Sequence, residues 1–502
     1  MKTTKISIIV ALLLSSSVYA IDVTTNNPSD IYSLPSEEPT EKFKISEHKM
    51  KAVGHIKFWY QTMDHGGVAG GDAGFFNRQT SAANEWMSVS ADLKITGEVN
   101  NHFSYGTAVQ GASSMGTNSY IAAAEAVRPV SGADAGSAKI PFWFSEMYGI
   151  YTTGNTKIKL GRMELNTPMA YTEKWNAVTN TFEAVTVTNT DLPDTKVMGM
   201  WISKGNGATT KFDEAPQVFG AEETFNGYMQ YDDDNSNKIS RAGMFVAGVK
   251  NNSISNIPLQ AWYYLAPDSV QAFWLQADVK TNALGFLKKP TLNLIGAGNG
   301  TTGALQSAIE GGTTFGNTQT DTKDTYALAA KISTAIAGIT IYGAGSKTTA
   351  GNLPVANTAT NYKKTRLPTA SVFNDGMVAA QPSTTSFKVG ASTKFGKSSA
   401  LAISYGNYNV GKNTGYMQPN AKSGGPASAG FLANNRGEDL DMNEFDLILS
   451  TKYKDIKMKA IYVYLDKTYV PGTGDGSSVG TSTSTYGTDD NHILRLIASL
   501  AF

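Results

Sequence analysis

The sequence predicts an all-β fold, a transmembrane antiparallel β-barrel of about eighteen strands with short periplasmic turns and long extracellular loops. Three observations carry that expectation. The chain finishes on an alternating strand in which Leu494, Leu496, Ala498, Leu500 and Phe502 share one face, and Ile493, Arg495, Ile497, Ser499 and Ala501 the other. Segments of about ten residues alternate apolar and polar along the chain, the period of a strand with lipid on one face and water on the other. No apolar run of about 18 residues follows the N-terminal segment, so spanning helices are excluded. A closed barrel is then the remaining way to leave no backbone group unpaired in lipid.

The N-terminus reads as a secretory signal peptide over residues 1–20. Lys2 and Lys5 supply the positive charge, Ile6 to Leu14 the apolar core, and Ser15 to Ala20 the small-residue region before a cleavage after Ala20. Residues 21–50, with Pro28, Pro35, Pro39 and mixed charge, read as a periplasmic extension too short for a globular plug. Residues 51–502 are the barrel domain. The first strand opens with Ile56, Phe58 and Tyr60 on one face and His55, Lys57 and Trp59 on the other.

The eighteen segments expected as strands lie near 52–62, 84–99, 102–112, 142–153, 156–164, 183–189, 195–204, 240–250, 257–266, 268–281, 288–298, 324–336, 338–347, 384–395, 398–408, 441–454, 456–466 and 490–502. In the fourteenth, Phe387, Val389, Ala391 and Phe395 alternate with Lys388, Gly390, Ser392 and Lys394; in the sixteenth, Phe445, Leu447 and Leu449 alternate with Asp446, Ile448 and Ser450. Short turns such as Asn100-Asn101, Gly154-Asn155, Ala337-Gly338 and Gly396-Lys397 take turns with long Gly/Ser/Thr/Asn-rich loops near 63–83, 113–141, 165–182, 205–239, 299–323, 348–383, 409–440 and 467–489. Pro267-Asp268 is tight where that rhythm calls for a long loop. An even strand number places both ends of the barrel on the periplasmic side.

Composition narrows the partners and the chemistry. The 42 basic and 42 acidic residues balance, giving no basic excess for nucleic acid. There is no cysteine, which removes disulfides and thiolate metal sites. The 49 glycines, 23 tyrosines and 21 phenylalanines suit strands and turns. His48, His55, His65, His102 and His492 are scattered without paired-ligand spacing, and His102 with Ser104 lacks a third orienting group, so no enzyme, cofactor or metal site is expected. Acidic loop runs, Asp232 to Asn237 and Glu438 to Glu444, offer oxygen ligands but not EF-hand spacing, and read as solvated loops.

One internal stretch is recognisable: Gly161-Arg-Met-Glu-Leu-Asn-Thr-Pro-Met-Ala-Tyr-Thr-Glu-Lys-Trp-Asn176, followed by Asn180-Thr-Phe-Glu-Ala184 and Asp191-Leu-Pro-Asp-Thr195. It resembles the Opr family of OprD-like outer-membrane porins of Gram-negative bacteria, especially the epsilon-proteobacterial type. The resemblance implies an eighteen-stranded barrel enclosing a diffusion pore, and a homotrimer. Residues 165–182 follow the fifth expected strand, where porins fold a loop inward, and Glu173, Lys174, Trp175 and Asn176 are the candidate constriction residues. Opposed charges across a narrow channel create a transverse field that orients polar solutes.

An eighteen-stranded barrel is too wide for side chains to fill and leaves an aqueous channel. Alternation puts Lys57, Lys94, Lys159, Lys331, Lys388, Lys394, Lys452 and Arg495 on the inner face against Asp92 and Asp446, a balance that favours anions. A one-residue slip would move each lysine into lipid, where the bilayer midplane costs it about 2–4 kcal/mol. The sequence therefore reads as an outer-membrane porin passing small polar solutes or ions, with outer-membrane lipid and lipopolysaccharide around it. Phe502 is the expected signal to the barrel-assembly machinery. The alternative is a structural or adhesive protein that uses the barrel as its anchor.

Overall fold

In the computed structural model, residues 50–65, 74–76, 85–113, 142–174, 177–205, 223–224, 243–283, 287–311, 314–315, 318–319, 321–358, 364–372, 377–411, 439–470 and 489–502 are described. The signal peptide, all but the last residue of the N-terminal extension, Trp175, Asn176, Asp232 to Asn237 and Glu438 lie outside them.

Alternation of side chains forces each segment to bury one face and expose the other, and eighteen strands do so. They are β1 Lys51–His65, β2 Glu85–Glu98, β3 Phe103–Ser113, β4 Phe142–Thr153, β5 Thr156–Met163, β6 Phe182–Asn189, β7 Thr195–Gly205, β8 Met244–Asn251 and β9 Leu259–Ala266. The second half supplies β10 Val270–Lys280, β11 Lys288–Thr301, β12 Thr325–Ile336, β13 Ile339–Thr348, β14 Thr384–Phe395, β15 Ser399–Val410, β16 Asp439–Tyr453, β17 Ile456–Val470 and β18 Asp489–Ala501. Each pairs antiparallel with its sequence neighbours. β1 pairs with both β2 and β18, so the sheet closes into an 18-strand barrel. All eighteen expected segments are strands, displaced at their ends by a few residues. The tight connection at Pro267 is real: Ala266 pairs with Val270 across a turn in which Asp268 has φ +58.

Two features were not expected. A short helix, α1 Gly303–Glu310, follows β11 and buries Leu305 and Ile309, which stand one turn apart on its inner side. A single-turn helix, α2 Met377–Ala380, precedes β14. The short turns carry their own chemistry. Ala337 and Gly338 both have positive φ, +49 and +85, the pairing that a two-residue hairpin with the right twist requires. At the β6–β7 turn, side-chain hydrogen bonds from Asn189 and Asn155 hold the Asp191 carboxyl below the ordinary aspartate range.

The two faces differ as the pattern predicts. Leu328 is 73% exposed and Ile332 59%, alongside Leu160, Leu275 and Phe387. Such a surface would be an association hazard in water, and in a bilayer it is the apolar belt. Neighbouring positions on the opposite face are buried: Ser386, Lys388 and Ala329.

The seam is completed by the last residue. The backbone N–H groups of Gly54 and Phe502 donate to each other's carbonyl oxygens at 2.8 and 2.9 Å. The Phe502 ring lies across Gly54, where an added Cβ would come within 2.4 Å of the ring. Gly54→Leu is therefore expected to displace the ring and weaken closure by about 1–3 kcal/mol, the usual cost of overpacking. Loss of the compact band in unheated electrophoresis would register it; an unchanged band and unfolding midpoint would refute the contact's importance.

Candidate functional site

The described parts of the loop after β5 (164–174 and 177–181) and of the loop after β13 (349–358, 364–372 and 377–383) are tied to the wall at points spread around the cylinder. From the first, Ala177 O accepts from Ser90 Oγ of β2 at 2.6 Å, Thr179 O from Gln110 Nε2 of β3 at 2.8 Å, and Lys174 O from Lys57 Nζ of β1 at 3.3 Å. Met169 N donates to Tyr264 Oη of β9 at 3.2 Å. From the second, Pro354 O accepts from Asn299 Nδ2 of β11 at 2.7 Å, Ala370 O from Lys388 Nζ of β14 at 2.8 Å, and Thr369 O from Tyr408 Oη of β15 at 2.8 Å. Val372 N donates to Glu444 Oε1 of β16 at 2.5 Å. Two short segments reach strands this far apart only from inside the cylinder, so both loops are folded into the lumen.

Apolar burial holds them there. Met169, Leu353, Val355 and Leu367 join a cluster with Trp262, Tyr264 and Trp274 of the wall. Fully burying side chains of this size contributes about 1.5–3 kcal/mol each. The two loops share a motif, Asn166-Thr-Pro-Met-Ala170 and Asn352-Leu-Pro-Val-Ala356, in which the residue after proline is buried in each case. That proline followed by an apolar pair, inside loops otherwise rich in polar residues, was the signal available in the sequence for the second inward loop.

The loops are fastened to each other. Asn357 Oδ1 accepts from Tyr171 N at 3.2 Å, while its Nδ2 donates to Tyr171 O at 3.0 Å and Glu173 Oε1 at 3.2 Å. Thr358 donates through both N and Oγ1 to Met169 O. Arg366 lies 4.3 Å over the Tyr171 ring, and its Nη2 donates to Asn166 Oδ1 at 2.5 Å. Beside this seam is an open cleft of about 490 Å³, lined by Glu164, Asn166, Tyr171, Lys174, Lys364 and Arg366 among others.

Glu173 and Lys174 point apart. Glu173, 2% exposed, turns into the seam with its Oε2 3.5 Å from Lys364 Nζ. Lys174 is exposed and pairs with Glu164 at 2.5 Å. Glu164, within the recognisable stretch, and Lys364 were not among the constriction candidates read from the sequence.

The register places the other candidates on the face opposite the exposed leucines and phenylalanines. Lys94 pairs with Glu146 at 2.6 Å and Lys388 with Asp446 at 3.4 Å. Lys159 lies 3.5 Å over Tyr148, and Lys331 4.3 Å over Tyr342. Arg495 donates through Nε and Nη2 to Gln61 Oε1 and lies 5.1 Å over Trp59. Lys394 and Lys452 are exposed at the short-turn end of the barrel. The carboxylates opposing these cations include Glu146 as well as Asp92 and Asp446. A bulge explains why alternation missed it: the β3–β4 register slips between Ala108 and Val109, and both Ser145 and Glu146 become buried.

No family model matches the chain, and no curated protein does. Solved structures do. OccD3 (OpdP) of Pseudomonas aeruginosa is 11% identical, with 90% of this chain and 91% of that one covered at a TM-score of 0.59. OpdK of the same organism, solved with vanillate, is 12% identical over 90% of this chain and 98% of its own, TM-score 0.59. OccK2 (OpdF), solved in complex with glucuronate, is 12% identical over the same shares at 0.55. The likeness is one of architecture: the chain has the closed 18-strand barrel fold of the OprD-family outer-membrane porins.

Proposed function

We propose that this chain is an outer-membrane porin that gives passive diffusion to small polar solutes, with anions favoured. The single observation carrying the reading is the pair of loops folded into the lumen and fastened by Asn357, leaving a cleft lined by charge of both signs. An adhesive protein that used the barrel as an anchor would present its long loops outward, so this packing favours the channel. Lys57, Lys94, Lys159, Lys331, Lys388 and Arg495 are assigned to the pore wall, and Glu173, Lys174, Trp175 and Asn176 to the constriction. Vanillate and glucuronate, present in the OpdK and OccK2 structures, both carry a carboxylate. Small carboxylates are the solute class assigned here on that likeness and on the basic lining.

Residues 1–20 are a signal peptide removed after Ala20, residues 21–50 a periplasmic extension, and Phe502 the contact for the barrel-assembly machinery. Lipid and lipopolysaccharide surround the belt, the assembly is a homotrimer, and the protein performs no chemistry on its solutes.

Single-channel recording in a planar bilayer under a KCl gradient tests the channel. Discrete ohmic steps with an anion-sided reversal potential are expected. Silence from protein shown to be folded would overturn the reading. Within the cleft, the polar contacts of Arg366 described above are to neutral groups, Asn166 and Tyr171. Arg366→Gln is expected to move the reversal potential toward cations; no movement would remove Arg366 from the solute path.

A further inference from the structure

At the short-turn end of the barrel, lysines gather on one sector. Lys394 and Lys397 sit at the β14–β15 turn, and Lys452, Lys454 and Lys457 at the β16–β17 turn; all five are exposed. Lys452 stands directly opposite Lys457 in the β16–β17 register. Side chains so placed have Cβ atoms about 4.5–5.5 Å apart, and like charges there are destabilising. β14 and β16 are separated only by β15, so Lys394 lies about 10 Å from the Lys452 strand at the usual interstrand spacing. Among the described residues none of these five lysines forms an ion pair with a carboxylate. The acidic side chain nearest in the chain is Asp455, within the β16–β17 turn itself. The sector keeps a positive excess.

It also leads inward. Lys457 pairs with Ser499, and Ser499 pairs with Lys57. Lys57 then reaches the carbonyl of Lys174 in the inward loop. Lys457, Ser499 and Lys57 thus share one cross-strand row, and its far end touches the inward loop.

We propose that this rim sector, Lys394, Lys397, Lys452, Lys454 and Lys457, is a binding site for multivalent anions such as polyphosphates or tricarboxylates, which enter the mouth from the short-turn side and obstruct the channel. A singly charged solute meets one or two lysines and passes. An anion with three or more charges spans the mutually repelling cations, relieves their repulsion, and is held. Tripolyphosphate and citrate have the length and charge to bridge neighbouring strands. The site makes the channel respond to one side only, because the inward loops stand between the rim and the opposite mouth. The inference rests on the porin reading for its consequence, and on the rim geometry alone for its binding.

Side-specific block tests it. The chain has no cysteine, so Asn252→Cys in the β8–β9 turn, biotinylated and captured by streptavidin, marks the short-turn side of an inserted channel. Tripolyphosphate added to that side is expected to block at a concentration about tenfold lower than from the other side. The variant Lys394→Gln/Lys452→Gln/Lys457→Gln is expected to lose the difference. Calorimetric titration of tripolyphosphate into the folded protein in detergent is expected to give a binding isotherm that the triple variant lacks. Equal block from both sides, or an isotherm unchanged in the variant, would overturn the site. Channel silence together with the isotherm would overturn the porin reading and leave the site standing.

Discussion

Lys388→Met is expected to destabilise the folded barrel by about 3–5 kcal/mol, the range for removing one partner of a buried ion pair. Lys388 is 6% exposed and lies 3.4 Å from Asp446 Oδ2, itself on a residue 1% exposed. Glu444, equally buried, stands two residues away on the same strand and face. The lysine also donates to Ala370 O, so its loss releases the inward loop from β14 as well. Ser404 Oγ donates to Asp446 at 2.6 Å and softens the loss without supplying charge. The double variant Lys388→Met/Asp446→Leu is expected to recover most of the stability, because an apolar pair of similar volume has no charge to leave uncompensated. Urea unfolding in detergent followed by tryptophan fluorescence reads both. A single-variant loss below about 1 kcal/mol would mean that lumenal water solvates Asp446, and that the loop does not seal it.

Asn357→Ala is expected to part the two inward loops. Its side chain satisfies both backbone polar groups of Tyr171 and one oxygen of Glu173. Leaving such buried groups unsatisfied costs about 1–3 kcal/mol each. The remaining fasteners include the Thr358 bonds to Met169 O, the Lys364–Glu173 contact at 3.5 Å, and Arg366 with its bond to Asn166 and its place over the Tyr171 ring. The expected result is larger single-channel conductance with greater open-channel noise, from a barrel whose wall unfolds at the wild-type urea concentration. Unchanged conductance would show that Met169 and Val355 hold the loops by apolar burial alone, or that the current does not pass the seam.

The barrel was legible in the sequence because a strand in a lipid-facing wall obeys a local rule. Phe387 and Lys388 must lie on opposite faces whatever their neighbours do, and a short turn between two such segments fixes them as antiparallel. That rule holds residue by residue, and it gave all eighteen strands, including the two on either side of Pro267, where the rhythm of long and short connections breaks. It failed where the backbone departs from period two. The bulge at Ala108 turns Glu146 inward beside Lys94, and no count of alternation from Phe144 onward would have placed it there.

The candidate site was legible only in part. Residues 165–182 were expected to fold inward, and the described ones, 165–174 and 177–182, are bonded to the inner face of the wall. Their partner, residues 351–358, was read as one more long loop, because its binding surface belongs to strands distant in sequence: Asn299 of β11, and Asn166 to Glu173 of the first loop. The direction in which Glu173 and Lys174 point depends on Lys364 and Glu164, and neither partner is adjacent to them in the chain. The sequence by itself determined the barrel, its strand order, which face meets lipid and which end carries the short turns, since these follow from local alternation and the need to pair every backbone group. Only the tertiary structure decided which loops enter the lumen, which cations are neutralised by a carboxylate and which rest on an aromatic ring, because those outcomes are set by contacts between residues up to 434 positions apart, as Arg495 and Gln61 are.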